Sequence, residues 1–176
     1  MSRKLISVDI EADGPYPGTD GFSMVSFGAV IVEDGLLRQF YSEVRPISPK
    51  WDAEALSVSG FSRKQTMEFA QPEHEMLRFA EWITQECPDG ATFIADNPGF
   101  DFAFINYYFH RFHGKNPFGW SSRRISDLFC GVKNNYYYQW KKHRKTKHTH
   151  SAIDDAVGNA EALLYLRDEL CFKLPK

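Results

Sequence analysis

Cysteine is scarce. The 176 residues hold three, Cys87, Cys130 and Cys171, odd in number and far apart. That excludes a disulfide framework and a Cys-rich zinc site, and a reducing cytoplasm is the expected setting. Long apolar runs are also missing. The longest, Met24 to Val32, is broken by Ser26 and Gly28 and has half the length a membrane-spanning helix needs, so no membrane partner is expected. The first residues, MSRKLISVD, reach an aspartate before any secretory apolar stretch forms. Internal repeats and Pro/Gly/Ser-rich linkers are absent, so one domain over residues 1–176 is expected. With 43% hydrophobic, 15% aromatic and 25% charged residues, the chain has the material for a core.

Net charge is low, −2, but it is unevenly placed. Between Arg111 and His148 there are ten Lys/Arg and one acid, Asp127, so this segment carries +9 and the remainder −11. An acidic body with a basic region fits a polyanionic partner; a solvated basic loop accounts for the same run.

Periodicity predicts strands over Lys4–Glu11, Phe22–Glu33 and Leu36–Val44, the last two joined at Glu33-Asp34-Gly35. Helices are predicted over Pro72–Glu86, Gly99–His113 and Ala152–Leu170, a short strand over Ala91–Ala95, and irregular chain over 114–149. This order implies an α/β domain with a mixed sheet.

Carboxylates fall at the ends of these elements. Asp9 and Glu11, two apart on a strand, point to one face and repel unless a cation or proton lies between them; an exposed strand end is the alternative. Asp101 follows Asp96-Asn97-Pro98-Gly99-Phe100 in the first turn of a helix, where the helix dipole alone can account for a carboxylate. In His150-Ser151-Ala152-Ile153-Asp154-Asp155-Ala156, Ser151 and Asp154 match a capping box. Asp155 is left without a local role, and His150 stands five residues before it. Asp9, Glu11, Asp13, Gly14 and Asp20 also imitate a calcium loop, but a strand precedes them and Pro15 and Pro17 interrupt, so that reading is set aside. Four acids meeting in one cleft would bind hard divalent cations such as Mg²⁺ or Mn²⁺, and two such ions are a standard device for phosphodiester hydrolysis.

Val8-Asp9-Ile10-Glu11, Asn97-Pro98-Gly99-Phe100-Asp101 and the His150–Ala156 segment together resemble, in order and spacing, the three motifs of the DEDDh (DnaQ-like, RNase T-like) 3′-5′ exonucleases. The resemblance spans residues 5–167. The Asp9–Ala29 stretch departs from the commoner DxETTG pattern, as in a small bacterial or phage-type branch. The resemblance implies an RNase H-like fold, a central mixed β-sheet flanked by helices. It implies a catalytic set of Asp9, Glu11, Asp101, Asp155 and His150, with the four acids holding two Mg²⁺ or Mn²⁺ ions and His150 as general base. It further implies that Met24 stacks on the terminal base and the backbone at Ala12 receives the 3′-hydroxyl. The substrate would be single-stranded RNA or DNA, released as nucleoside 5′-monophosphates. Tyr136, Tyr137, Tyr138 and Trp140, with the basic run Lys141, Lys142, Arg144, Lys145 and Lys147, could guide the strand by stacking and phosphate attraction. The same tyrosines could instead serve the core or a homodimer contact. An oligoribonuclease-like enzyme for very short oligonucleotides, a catalytically weak binding module and a subunit of a larger complex are the rival readings.

Overall fold

The computed structural model describes residues 3–175. Its centre is a five-stranded mixed sheet in the order β3-β2-β1-β4-β5. β1 (Lys4–Ala12), β2 (Met24–Ile31) and β3 (Gln39–Glu43) form an antiparallel meander. β4 (Ala91–Ala95) lies parallel to β1, and β5 (Ser122–Arg124) parallel to β4.

Alternation along β1 divides the core. Ile6, Val8 and Ile10 face helices α3 (Pro72–Glu86) and α4 (Pro98–Phe112), joining Met76, Phe79, Phe104 and Phe109. Each helix begins with a proline, whose missing N–H is free of penalty in a first turn. The opposite face packs against α5 (Ile125–Lys133) and α6 (Ala152–Asp168) through Leu5, Val30, Ile94, Phe129, Ala156, Ala160 and Leu163. Two short helices, α1 (Ala53–Val58) and α2 (Arg63–Thr66), carry the chain from β3 to α3. The side chain of Asp52 caps the first, and a Ser62–Gln65 capping box starts the second.

The expected mixed sheet flanked by helices is present, with two changes. The second and third strands begin later than predicted, at Met24 and Gln39: the N–H groups of Phe22 and Ser23 are taken by Tyr16 and Asp13, and Leu36 takes a left-handed conformation (φ 48°) after the Glu33–Gly35 turn, delaying the third strand. Residues 114–149, expected to be irregular, contain β5, α5 and a 3₁₀ turn at Trp140–His143. β5 has three residues, too few for alternation to be visible. α5 has nine and carries Gly131, which weakens its helical pattern.

α6 approaches the sheet closely because small residues face it. The Ser7 hydroxyl donates to the Ala156 carbonyl at 2.9 Å. A Cβ at Gly28 of β2 would stand 2.5 Å from the Ile153 Cα and 2.6 Å from the Ala152 carbonyl oxygen, so only glycine fits. Gly28 pairs with Asp9 in the β1–β2 register. The close approach therefore seats the start of α6 beside the acidic end of β1. Gly28→Ala should destabilise the protein by about 1–3 kcal/mol, the usual range for overpacking a tight core. Urea unfolding checks this: the midpoint should fall at unchanged m-value.

Candidate active site

β1 and β4 pair only from Lys4–Ser7 with Ala91–Ile94, and beyond that point they part. Such a split between parallel strands is where α/β sheets place their ligands. Here it opens into a pocket of about 420 Å³ lined by Asp9, Glu11, Asp101, His148 and His150 among others.

The four acids arrive from the ends of three elements. Asp9 and Glu11 share one face of β1, as period-2 geometry requires. Asp101, in the first turn of α4, accepts the Ile10 N–H at 3.2 Å, a donor freed where β1 leaves β4. Asp155 lies in the first turn of α6 and is fully buried. Ligand oxygens of Asp9, Glu11 and Asp155 come within 4.8 Å of one another. Those of Asp155 and the ring nitrogens of His148 and His150 form a second group at the same spacing.

Crowding like charges in a buried place shifts their protonation. Burial, reinforced by the charges of Asp155 and Asp101, pushes the Glu11 carboxyl up to about 8. Burial likewise pushes Asp101 up to about 7, although the Ile10 N–H partly offsets it. Asp9 is driven well above the ordinary carboxylate range by burial and then by Asp101, Asp155 and Glu11, with Arg144 opposing. Oxygen donors of this kind, gathered and mutually repelling, fit hard divalent cations. Asp9, Glu11 and Asp155 are the residues placed to hold one.

Asp155 is also tied to the chain before α6. Its Oδ1 receives Arg144 Nη2 at 2.6 Å and lies 2.8 Å from His148 Nδ1; its Oδ2 accepts the His150 N–H at 3.0 Å. His150 adopts φ 58°, an uncommon conformation for a side-chain-bearing residue, and its ring meets that of His148 edge-on at 4.2 Å. Ser151 occupies the N-cap of α6 as expected, but its side chain makes no capping bond. Asp154, expected to complete a capping box, instead accepts from the Thr149 hydroxyl at 3.3 Å.

Three substrate-binding expectations are corrected. Met24 is wholly buried in the core on the α3–α4 side, with its N–H bonded to the Tyr108 hydroxyl, so it cannot stack on a base. Apolar surface at the pocket comes instead from Ile10, Pro15, Val58 and Phe100. Of these, Val58 carries no charge-pattern or motif signal that sequence reading could use, whereas Phe100 lies inside the Asn97–Asp101 motif without a role assigned to it there. Arg144 does not face solvent; its side chain is 6% exposed and pairs with Asp155. The aromatic stretch divides: Trp140 is buried and Tyr138 half-buried beside Phe129, while Tyr136 and Tyr137 are exposed. Ala12 does line the pocket, and Lys141 reaches its edge, where its ammonium lies 2.6 Å from Asp96. Lys142 lies over the Tyr138 ring. Asp13 of the imitation calcium loop is bonded to the Ser23 N–H and to Arg63, away from any calcium role.

A mixed sheet flanked by helices, with acids from β1, α4 and α6 gathered near a histidine that precedes α6, fits the class of 3′-5′ exonucleases. The chain belongs to the family described as the Rv2179c-like 3′-5′ exoribonuclease domain, whose model matches residues 4–166. It is 35% identical to the 3′-5′ DNA exonuclease Cap18 of Escherichia coli over 96% of this chain and 94% of that protein. It is 30% identical over 111 residues to the 3′-5′ exonuclease DinG of Bacillus subtilis, of which the match covers 11%. The nuclease domain of 3′hExo, a DEDDh family member bound to rAMP, shares the fold with a TM-score of 0.77 at 14% identity, over 99% of this chain and 96% of that one. Escherichia coli Exonuclease I in complex with dT13 matches with a TM-score of 0.70 at 12% identity, over 94% of this chain and 41% of that one. Among the described residues no helix is long and apolar enough to cross a membrane.

The raised carboxylates make metal-free stability depend on pH. In the window from the unfolded carboxyl value near 4.5 up to about 8, the folded state holds protons that the unfolded chain has released. Stability in EDTA should therefore fall as pH rises from 5 to 8. Calorimetric Tm across that range checks it; a flat or rising Tm would contradict the crowded-carboxylate account.

Proposed function

We propose that the protein removes nucleotides from the 3′ end of single-stranded nucleic acid by two-metal hydrolysis, releasing nucleoside 5′-monophosphates. One observation carries the reading: Asp9, Glu11 and Asp155 converge to within 4.8 Å, at a pocket of about 420 Å³ that Asp9, Glu11, Asp101 and His150 line together with apolar side chains. Asp9, Glu11 and Asp155 would hold one divalent ion, and Asp9 with Asp101 the other. When bound, such ions supply an activated water and charge stabilisation for the leaving oxygen.

The remaining work falls to the protein's own groups. His150 takes a proton from the attacking water at a ring nitrogen, a role suited to imidazole near neutral pH. Val58 and Phe100 supply apolar surface for the terminal base, in the place first given to Met24. The backbone at Ala12, on the pocket wall, is placed to meet the 3′-hydroxyl. Lys141 can exchange its Asp96 partner for a phosphate at the pocket edge. The family is described as an exoribonuclease domain and the Escherichia coli relative as a DNA exonuclease, so RNA and DNA are compared directly. Incubation of matched 5′-labelled RNA and DNA single strands with Mn²⁺ should give ladders shortening from the 3′ end. Asp9→Ala should abolish them in a protein that stays folded. Intact strands from the unaltered enzyme, or internal cuts, would overturn the proposal.

The two histidines are separable. His150→Ala should lower kcat by roughly 10²–10⁴, the usual worth of a general base, while Mn²⁺ still raises Tm. His148→Ala should have the smaller effect, although His148 touches Asp155 directly. Steady-state kinetics of both variants decide the assignment, and a larger kcat loss in His148→Ala would transfer the base to that residue.

A further inference from the structure

Arg144 follows the 3₁₀ turn in an extended conformation (φ −72°, ψ 140°) and enters the flank of α6. The segment it opens is fixed there at several points. Glu161 Oε2 accepts the N–H groups of Lys145 and Thr146 at 2.8 and 2.7 Å, and Glu161 Oε1 accepts the Thr146 hydroxyl at 3.1 Å. Closer to the site, the guanidinium lies against Gly158. A Cβ there would stand 2.3 Å from Arg144 Nε and 2.5 Å from Nη2. One turn nearer the helix start, Nη2 donates to the buried Asp155. Arg144 Nε is buried with no acceptor among the described residues, so this position is set by the Asp155 contact and the Gly158 gap.

Glycine inside a helix costs about 0.5–1 kcal/mol relative to alanine. Gly158 is fully consistent with one use of that cost: it makes room for a planar cation beside Asp155. Guanidinium stays charged at any working pH, and its flat shape fits the Gly158 gap while one N–H, on Nη2, holds the carboxylate.

We propose that Arg144 is a positioning residue, a fixed internal cation seated on Gly158 that orients Asp155 and the His148–His150 segment bonded to it. It also offsets the carboxylate charge of the site before divalent ions bind. This rests on the two-metal reading above. It removes Arg144 from the phosphate-contacting run and makes it a partner of a metal-holding side chain, the kind of contact that tunes such a residue from outside the coordination sphere.

The test is Tm with and without Mn²⁺, together with kinetics, for Arg144→Gln, Arg144→Lys, Gly158→Ala, Arg144→Ala and the Arg144→Ala/Gly158→Ala pair. Arg144→Gln should melt lower in EDTA, because a buried carboxylate loses its cation, and Mn²⁺ should raise its Tm by more than in the unaltered protein. Its kcat should fall roughly 10–100-fold with the oligonucleotide KM unchanged. Arg144→Lys, which keeps the charge and bulk, should show a smaller version of the same pattern. Gly158→Ala should reproduce the pattern although alanine is the better helix former. The double variant should be no worse than Arg144→Ala, since the methyl enters space the arginine has left.

Equal Tm losses with and without Mn²⁺ would make Arg144 a mere loop tie and overturn the proposal. So would a raised KM at unchanged kcat, the mark of a phosphate contact, or a Gly158→Ala protein that is stabilised and fully active. Absence of any Mn²⁺ shift in the unaltered protein would instead overturn the two-metal reading. The coupling between Arg144 and Gly158 would then decide the positioning role by itself.

Discussion

Mutual repulsion among four carboxylates is the constraint around which this protein is arranged. Asp9, Glu11 and Asp101, from β1 and α4, line one crevice, and Asp155 of α6 lies against Asp9 and Glu11 beneath it; Glu11, Asp101 and Asp155 are almost fully buried. Burial and proximity both disfavour the charged forms, which is why the carboxyls of Glu11 and Asp101 retain protons toward neutral pH. Such a cluster is tolerated only with compensation elsewhere in the fold. The sheet supplies it by packing apolar layers on both faces, so the unfavourable end of β1 is a small part of a large buried structure.

The geometry that enforces the crowding rests on small residues at two close approaches. Gly28 lets the start of α6 lie against β2, opposite Asp9 in the register. Gly158 lets a guanidinium lie against α6 one turn beyond Asp155. The first glycine brings an acid toward its neighbours, and the second brings a cation toward that acid. Both work through the absence of a Cβ, and neither has a positive φ. Loop anchoring follows the same logic. Glu161 and Asp155 of α6 hold the backbone of residues 145–150 at its two ends, and His150, held by Asp155, has an uncommon φ.

Much of this was legible in the chain itself, for definite reasons. Period-2 alternation places Asp9 and Glu11 on one face whatever the strand pairs with, and the Ala91–Ala95 strand followed by Asn-Pro-Gly marks the start of α4. The five-residue spacing of His150 and Asp155 was readable because both lie at a helix start with a recognisable N-cap. What sequence could not give were facts decided by tertiary contact. Met24 looks like any apolar residue after a loop, and only the Tyr108 hydroxyl and the α3–α4 layer bury it. Arg144 sits in a run of cations, and charge alone cannot separate the one turned inward from those in water. Ser151 met the pattern of a capping box, yet the histidine segment turns Asp154 toward Thr149 instead.

That last displacement carries weight beyond the cap. A helix start whose N–H groups are fully closed by its own side chains is a finished structure with little left to offer a neighbour. At the start of α6 the local cap is unmade, and Asp155 accepts a backbone N–H from His150 while it faces the other acids. The same carboxylate thus shapes the loop that carries both histidines and takes part in the charge cluster. Asp155 touches the His148 ring at 2.8 Å and accepts the His150 backbone N–H at 3.0 Å. Asp155 therefore joins the carboxylate cluster and the segment that carries both histidines in one set of contacts. The basic segment that looked like a surface feature contributes to it from inside, through Arg144.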